Sequence, residues 1–168
     1  MDVHDAVRTM LAVRAYQDRP VPAEAIRRIV DAGRMTGSAR NAQPWHFVVV
    51  ENRDRLREIA ALSGRAFVGD AAFAIAVAVV DNRFGVSDGS RAIQSMMLAA
   101  WSEGIGSNWA GFAGMLDPVK APLAIPAELS VLALVAFGYP VASLGRGKKK
   151  RKALGEVASR ERYGARLE

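Results

Sequence analysis

The chain of 168 residues contains no cysteine. A disulfide framework, a thiolate zinc site and a cysteine nucleophile are therefore excluded, although the redox compartment stays open. Histidine is almost as scarce. His4 and His46 stand far apart with no carboxylates at ligand spacing, so no metal site is expected. The longest apolar run, from Ala71 to Val80, is about half the roughly 20 residues that a membrane helix needs. The opening "MDVHDAV" has neither a basic n-region nor an apolar h-region, and the default expectation is a cytoplasmic protein with no membrane partner. Familiar signatures are missing too. "GIGSNW" is not G-x-G-x-x-G because Trp109 holds the last glycine position, no G-x-x-x-x-G-K-[ST] occurs, and no serine lies in G-x-S-x-G.

What is present is an ordinary globular composition, 51% hydrophobic and 24% charged, long enough to bury a core and expected to form one domain over residues 1–168. The net charge of +6 is localised. Six basic side chains fall between Arg146 and Lys152; without them 17 of the 23 basic residues remain, matched by 17 acidic ones. A nucleic-acid surface spreads Lys and Arg over a face and interleaves aromatics, and no such face is legible, so no nucleic-acid partner is expected. The run itself reads as a solvated surface segment, a nucleic-acid arm or a clamp for one small anion.

Val3, Val7, Met10 and Leu11 recur at helical spacing, with Arg14 continuing the stripe, which predicts a first helix carrying that arginine on its apolar face. "DRPVP" breaks it, and Ile26, Ile29 and Val30 mark a second helix from near Pro22 to Gly33–Gly37. "TGSARNAQP" is a turn-rich connection into a strand "WHFVVV", after which Asn52 caps a third helix with Leu56, Ile59 and Ala60. "AAFAIAVAVV" is too uniformly apolar for a half-exposed strand and belongs in the middle of a sheet. "DNRFGVSDG" reads as a loop with Asp88 at a helix N-terminus. The following 90–102 segment is a helix apolar nearly all round, hence buried on more than one face. "EGIGSNWAGF" reads as a short strand between turns, "MLDPVKAPLAIP" as a proline-marked helix and "LSVLALVAFG" as the last strand. Helices interleaved with three or four strands, without a βαβ rhythm, predict an α+β domain.

Several of these segments resemble the nitroreductase family in order and spacing: "VRAYQDRPVP", the turn "GSARNAQPWHF", the helix and glycine motif "DGSRAIQSMMLAAWSEGIGSNW", then "FGYP" and "KKKRKALGEV" with "ERYG". The resemblance covers nearly the whole chain. It implies a central, mostly antiparallel sheet flanked by helices, and a homodimer that binds FMN at sites shared across the subunit interface. NADH or NADPH would donate hydride to the flavin, and a small electron-poor acceptor such as a nitroaromatic or quinone would receive it by a ping-pong mechanism. A member of the same fold that binds a flavin or nucleotide without catalysis is the alternative.

Carried over residue by residue, Arg14 matches the cation near the flavin pyrimidine edge, where a fixed positive charge stabilises the reduced ring. Ser38 and Asn41 match ring contacts from the partner subunit, and Gly37 stands beside them in place of the family's proline. Ala110 and Gly111 match the backbone facing flavin N5. Lys149 and Arg151 match the pair that holds the FMN phosphate, so the run becomes a phosphate clamp and the 145–168 segment is expected to reach the cofactor site or the partner. No catalytic side chain is implied, since the flavin carries the chemistry. The sequence departs from the usual first-helix R-R-S-x-R, with Met10, Leu11 and Ala12 in the first three places. Each missing charge-assisted contact is worth about 1.5–3 kcal/mol, roughly one to two decades in affinity.

Overall fold

Residues of alternating size along "FAIAVAVV" decide the layering. Phe73, Ile75, Val77 and Val79 pack into one layer and Ala74, Ala76 and Ala78 into the other. Both faces of this strand are thus covered, as its uniform apolarity predicts. The computed structural model describes residues 1–112, 114–142 and 149–167. Its sheet has β1 (Trp45–Val50), β2 (Phe73–Val80), β3 (Gly106–Ala110) and β4 (Leu129–Gly138) in the order β1-β2-β4-β3, every pairing antiparallel. The α+β reading with an antiparallel sheet is correct.

Two helices cover the large-residue face. They are α2 (Ala23–Arg34), which starts after Pro22 as expected, and the 20-residue α5 (Arg83–Ser102). Ile26 and Ile29 meet Ile93 and Met96 there, and Gly33 lets the helices close up: a Cβ at that position would lie 2.8 Å from Met96 Cγ. The alanine face is covered by α3 (Arg53–Ser63), α4 (Ala66–Gly69) and two 3-10 turns at Asp117–Val119 and Ala121–Leu123, contributing Leu56, Ile59, Val68 and Val119. Each large aliphatic side chain fully buried in these layers contributes about 1.5–3 kcal/mol. The two 3-10 turns replace the single proline-marked helix expected for that segment. A last short helix, α6, spans Leu154–Val157.

Two expectations fail more instructively. The first helix, α1, covers only Val3–Thr9; its buried residues are Ala6 and Thr9, while Val3 and Val7 are exposed. Arg14 is therefore not on a helix. From Met10 the backbone is extended, the Val13 N–H donates to Ser107 O at 2.9 Å, and Ala12 forms a parallel bridge with Ser107. An open sheet edge has captured a segment whose spacing also fits a helix.

The segment "DNRFGVSDG" is not a loop but the capped start of α5. Asn82 Oδ1 accepts from the N–H groups of Phe84 and Gly85 at 3.0 and 2.8 Å. The two glycines that suggested a loop serve close packing instead. A Cβ on Gly85 would meet Val80 O at 2.0 Å, and one on Gly89 would lie 2.8 Å from both Leu132 and Val79. Leu132 is the extra residue of a β-bulge opposite Val77 and Ala78, so it and Ala133 both enter the α5 layer.

Candidate functional site

The turn between α2 and β1 is held by α5. Asp88, 3% exposed, accepts the Ala39 N–H at 2.9 Å and pairs with Arg91 at 3.2 Å. Arg91 also donates to Gly37 O, and Thr36 Oγ1 donates to Ser95 Oγ at 2.8 Å. Within the turn Ser38 O accepts from the Asn41 N–H and Ser38 Oγ from the Gln43 N–H. Arg40, Asn41 and Gln43 all sit in the left-handed region, at φ 54°, 54° and 48°. Such conformations cost about 1 kcal/mol or more each and persist only where the surroundings over-determine them. Here Asp88 and Arg91 supply the restraint, and the result is a rigid turn presenting Ser38, Arg40 and Asn41 outward. Asp88 is thus buried and bonded in the second turn of α5, not at the helix N-terminus expected for it.

The other expected residues gather near the β3 edge. Val13 and Tyr16 turn inward, the Tyr16 hydroxyl donating to Val13 O at 2.7 Å, which leaves the intervening Arg14 exposed without a hydrogen-bond partner among the described residues. Burial also pushes the Tyr16 hydroxyl well above tyrosine's usual pKa, although the Arg14 charge opposes this. Arg14 opens into a mixed-charge cleft of about 470 Å³ shared with Arg53, Arg57, Asp18 and Asp70. Lys149 Nζ donates to Val7 O at 2.6 Å, at the C-terminal end of α1. Burial holds the Lys149 ammonium below the usual lysine pKa, and the Arg151 charge lowers it further; the charge of an arriving anion would oppose both effects. Arg151 is exposed, its guanidinium bonded to Lys150 O. Arg146 and Lys148, in the same basic run, lie outside the described residues.

At the end of β3, Gly111 has φ 77°, and a Cβ there would lie 2.8 Å from Leu116. Trp109 Nε1 fixes its carbonyl at 2.7 Å. Two residues on this strand carry buried polar atoms with no partner, Ser107 Oγ and Asn108 Nδ2. Asn108 shares a strand face with Ala110, by the alternation of the pleat.

One chain does not bring all the expected residues together. The Gly37, Ser38 and Asn41 turn packs on α5 around Asp88 and Arg91. The segment leading to Arg14 meets α5 at Trp101, whose indole N–H donates to Thr9 Oγ1 at 2.9 Å. Along the helix these points are about 20 Å apart at ~1.5 Å per residue. The turn also feeds β1 and the Ala110–Gly111 stretch ends β3, at opposite edges of the sheet. Sequence reasoning placed Asp88 at a helix N-terminus and missed its pairing with Arg91; the available signal was their i,i+3 spacing at the head of an apolar helix.

A family model described as the nitroreductase family matches residues 8–68 and 60–139. A Methanothermobacter thermautotrophicus protein, provisionally named as an NADH dehydrogenase/NAD(P)H nitroreductase, is 38% identical over 154 residues, covering 86% of this chain and 81% of its own. A Thermus thermophilus NADH dehydrogenase is 30% identical, covering 83% and 87%. Among solved structures, a Parabacteroides distasonis protein with the same provisional name as the first superposes with a TM-score of 0.86 at 26% identity, covering 96% and 98%. An FMN-dependent nitroreductase of Clostridium difficile, at 22% identity and a TM-score of 0.78 over 92% and 94%, shares the fold.

Proposed function

Since the chain belongs to the nitroreductase family, we propose that it is a homodimeric oxidoreductase that uses FMN to pass reducing equivalents from NADH or NADPH to a small electron-poor acceptor. For a nitro group the first turnover balances as R–NO2 + NAD(P)H + H⁺ → R–NO + NAD(P)⁺ + H2O; for a quinone the product is the hydroquinone. FMN, when bound, supplies the ring that accepts and returns hydride. Donor and acceptor then use one open face in turn, which is the ping-pong scheme.

The observation that carries this reading is the docking of Lys149 on Val7 O at 2.6 Å, three residues before Met10. It puts a cation from the far end of the chain beside the segment leading to Arg14, where a phosphate and the ring edge would both need positive charge. Lys149 and Arg151 would hold the phosphate dianion, and Arg14, charged at every working pH, would face the pyrimidine edge. Ala110 and Gly111 would lie against the ring, with the absent Cβ of Gly111 letting Leu116 pack against that backbone. The unpartnered Asn108 Nδ2 is a buried donor awaiting an acceptor on the same strand face. These residues fit the cofactor, although Met10 and Ala12 offer the phosphate no side-chain donor.

The separation of about 20 Å along α5 supports the homodimer, because Ser38 and Asn41 can then serve the ring of the other subunit instead of their own. In this reading the 145–168 segment belongs to the same single domain, and its Lys149 and Arg151 would reach the cofactor site or the partner subunit. No helix among the described residues is long and apolar enough to cross a membrane, which is compatible with a cytoplasmic enzyme.

The test is the visible spectrum of purified protein with added FMN, followed anaerobically by NADH or NADPH. Bound flavin that bleaches with nicotinamide supports the reading. Failure of stoichiometric FMN to bind at low salt would overturn it in favour of another cofactor or a non-catalytic member of the fold.

A further inference from the structure

Beside the strained turn lies a cavity of about 320 Å³ lined by Ala39, Arg40, Ala42, Pro44, Val80, Asn82 and Phe84. Three elements build it: the turn itself, the last residue of β2, and the first turn of α5. Its wall is apolar apart from two side chains. Asn82 spends its Oδ1 on capping α5. Arg40 is the one charged group on that wall and has no hydrogen-bond or ion-pair partner among the described residues. Phe84, 48% exposed, closes the cavity with an aromatic ring over which Arg83 sits at 4.8 Å, adding a second positive charge behind the ring.

Arg40 is held in place, which separates it from an ordinary surface arginine. Its backbone is left-handed, and the peptides on both sides are pinned, at Ala39 O by the Ala42 N–H and at the Asn41 N–H by Ser38 O, with Asp88 holding the Ala39 N–H one peptide earlier. Consecutive Cα atoms are about 3.8 Å apart. Arg40 lies between the two residues assigned to the flavin ring, so on that reading the cavity it lines adjoins the ring.

We propose that this cavity is the acceptor pocket and that Arg40 selects planar acceptors carrying an anionic group, a carboxylate in the simplest case. The proposal rests on the flavin reading and names the substrate class of that site. The volume holds a whole small acceptor but only the nicotinamide end of a dinucleotide, so the cavity can select among acceptors while the donor uses the same face. It stands at the small end of the roughly 300–1,000 Å³ range of ligand pockets, room for one or two rings. A guanidinium matches a carboxylate with two parallel N–H donors and stays charged throughout the working pH range. The apolar remainder suits an aromatic ring, and besides Arg40 the wall offers an anion only the neutral amide of Asn82.

The experiment compares 4-nitrobenzoate with 4-nitrobenzamide, two nitroarenes of similar shape that differ in charge, in the FMN-loaded wild type and in Arg40→Gln, Arg40→Glu and Arg40→Lys. The ratio of kcat/KM for the anion to that for the amide should fall about tenfold or more in Arg40→Gln, the scale of one charged hydrogen bond. It should fall further in Arg40→Glu and partly recover in Arg40→Lys. Binding of benzoate and benzamide by saturation-transfer NMR supplies a readout independent of turnover. The benzoate signal should weaken in Arg40→Glu while the benzamide signal persists. If the wild type reduces both nitroarenes and the ratio ignores Arg40, this proposal is wrong and the flavin reading survives. If NADPH efficiency alone responds to Arg40, the residue serves the donor's phosphate and the proposal is equally wrong. Should the wild type bind no FMN and reduce neither compound, the flavin reading fails and takes the proposal with it.

Discussion

Replacing Asp88 by alanine should release the turn that carries Ser38, Arg40 and Asn41. The carboxylate is 3% exposed and accepts one backbone N–H at 2.9 Å, so its removal leaves the Ala39 N–H without its partner. A hydrogen bond to a charged group is worth about 1.5–3 kcal/mol. The Arg91 pair adds less than a fully buried bridge, because the arginine side chain is 55% exposed and screened by water. A total of about 2–4 kcal/mol follows, comparable with the strain of three left-handed residues at about 1 kcal/mol each. At about 2–4 °C per kcal/mol for a chain of this size, the melting temperature should fall by roughly 5–15 °C. Asp88→Asn keeps an acceptor but loses the charge, and should fall by less than half as much. Amide exchange over residues 37–43 gives the local readout, with protection lost at Ala39 in Asp88→Ala and partly kept in Asp88→Asn. An Asp88→Ala protein that melts within about 2 °C of wild type, with the Ala39 amide still protected, would refute the idea that this carboxylate holds the turn.

Three further outcomes test other parts of the structure. Gly89→Ala pushes a methyl to 2.8 Å from Leu132 and Val79, and overpacking of that kind should cost about 1–3 kcal/mol in urea unfolding. The Tyr16 hydroxyl has a folded pKa raised by burial, so its contribution to stability is complete below the unfolded value of 10.0 and is lost as pH rises above it. Melting curves should therefore drop more steeply above about pH 10 in wild type than in Tyr16→Phe. In its proposed role Lys149 would hold a phosphate only when protonated, and its pKa lies below lysine's usual value. FMN affinity in titrations should thus weaken on the alkaline side at a pH lower than an ordinary lysine would set, and Lys149→Met should abolish that limb while lowering affinity throughout.

Much of the fold was legible because apolar pattern and burial coincide. The limits of "WHFVVV" and "LSVLALVAFG" are those of β1 and β4, and the unbroken apolar run became the sheet's interior strand, although it starts at Phe73 instead of Ala71. The failures have tertiary causes. Val3 and Val7 fit a helical stripe, yet the buried positions of α1 are Ala6 and Thr9, and the edge of β3 takes the chain from Met10 onward. Glycine reads locally as flexibility, so Gly85 and Gly89 suggested a loop; only the neighbouring strands reveal that they are clearances within a helix. Of the candidate site, the family resemblance names Arg14 and singles out Lys149 and Arg151 among the basic residues near the C-terminus. The role of Asp88 could not be read, because its partner, Ala39, is 49 residues away and contributes only a backbone N–H.

The division of the site along α5 carries a consequence for assembly. Near Trp101 docks Thr9, in the segment that leads to the proposed cofactor cation Arg14, and near Asp88 lies the turn with Ser38, Arg40 and Asn41, about 20 Å off along the helix at ~1.5 Å per residue. If each ring is completed by the partner's turn, a lone chain offers FMN a phosphate clamp and one ring edge, and no ring contacts from Ser38 or Asn41. Flavin and dimer are then linked by mass action, each stabilising the other. The apparent FMN affinity should fall when the protein is diluted through its dimer dissociation range, and added FMN should shift the sedimentation equilibrium toward the dimer. Exposed Val3 and Val7 on α1, with Leu154 and Val157 on α6, leave apolar surface that a second chain could cover. A protein that stays monomeric at all concentrations while binding FMN with undiminished affinity would require all ring contacts to come from one chain, which the separation along α5 does not allow for Ser38 and Asn41.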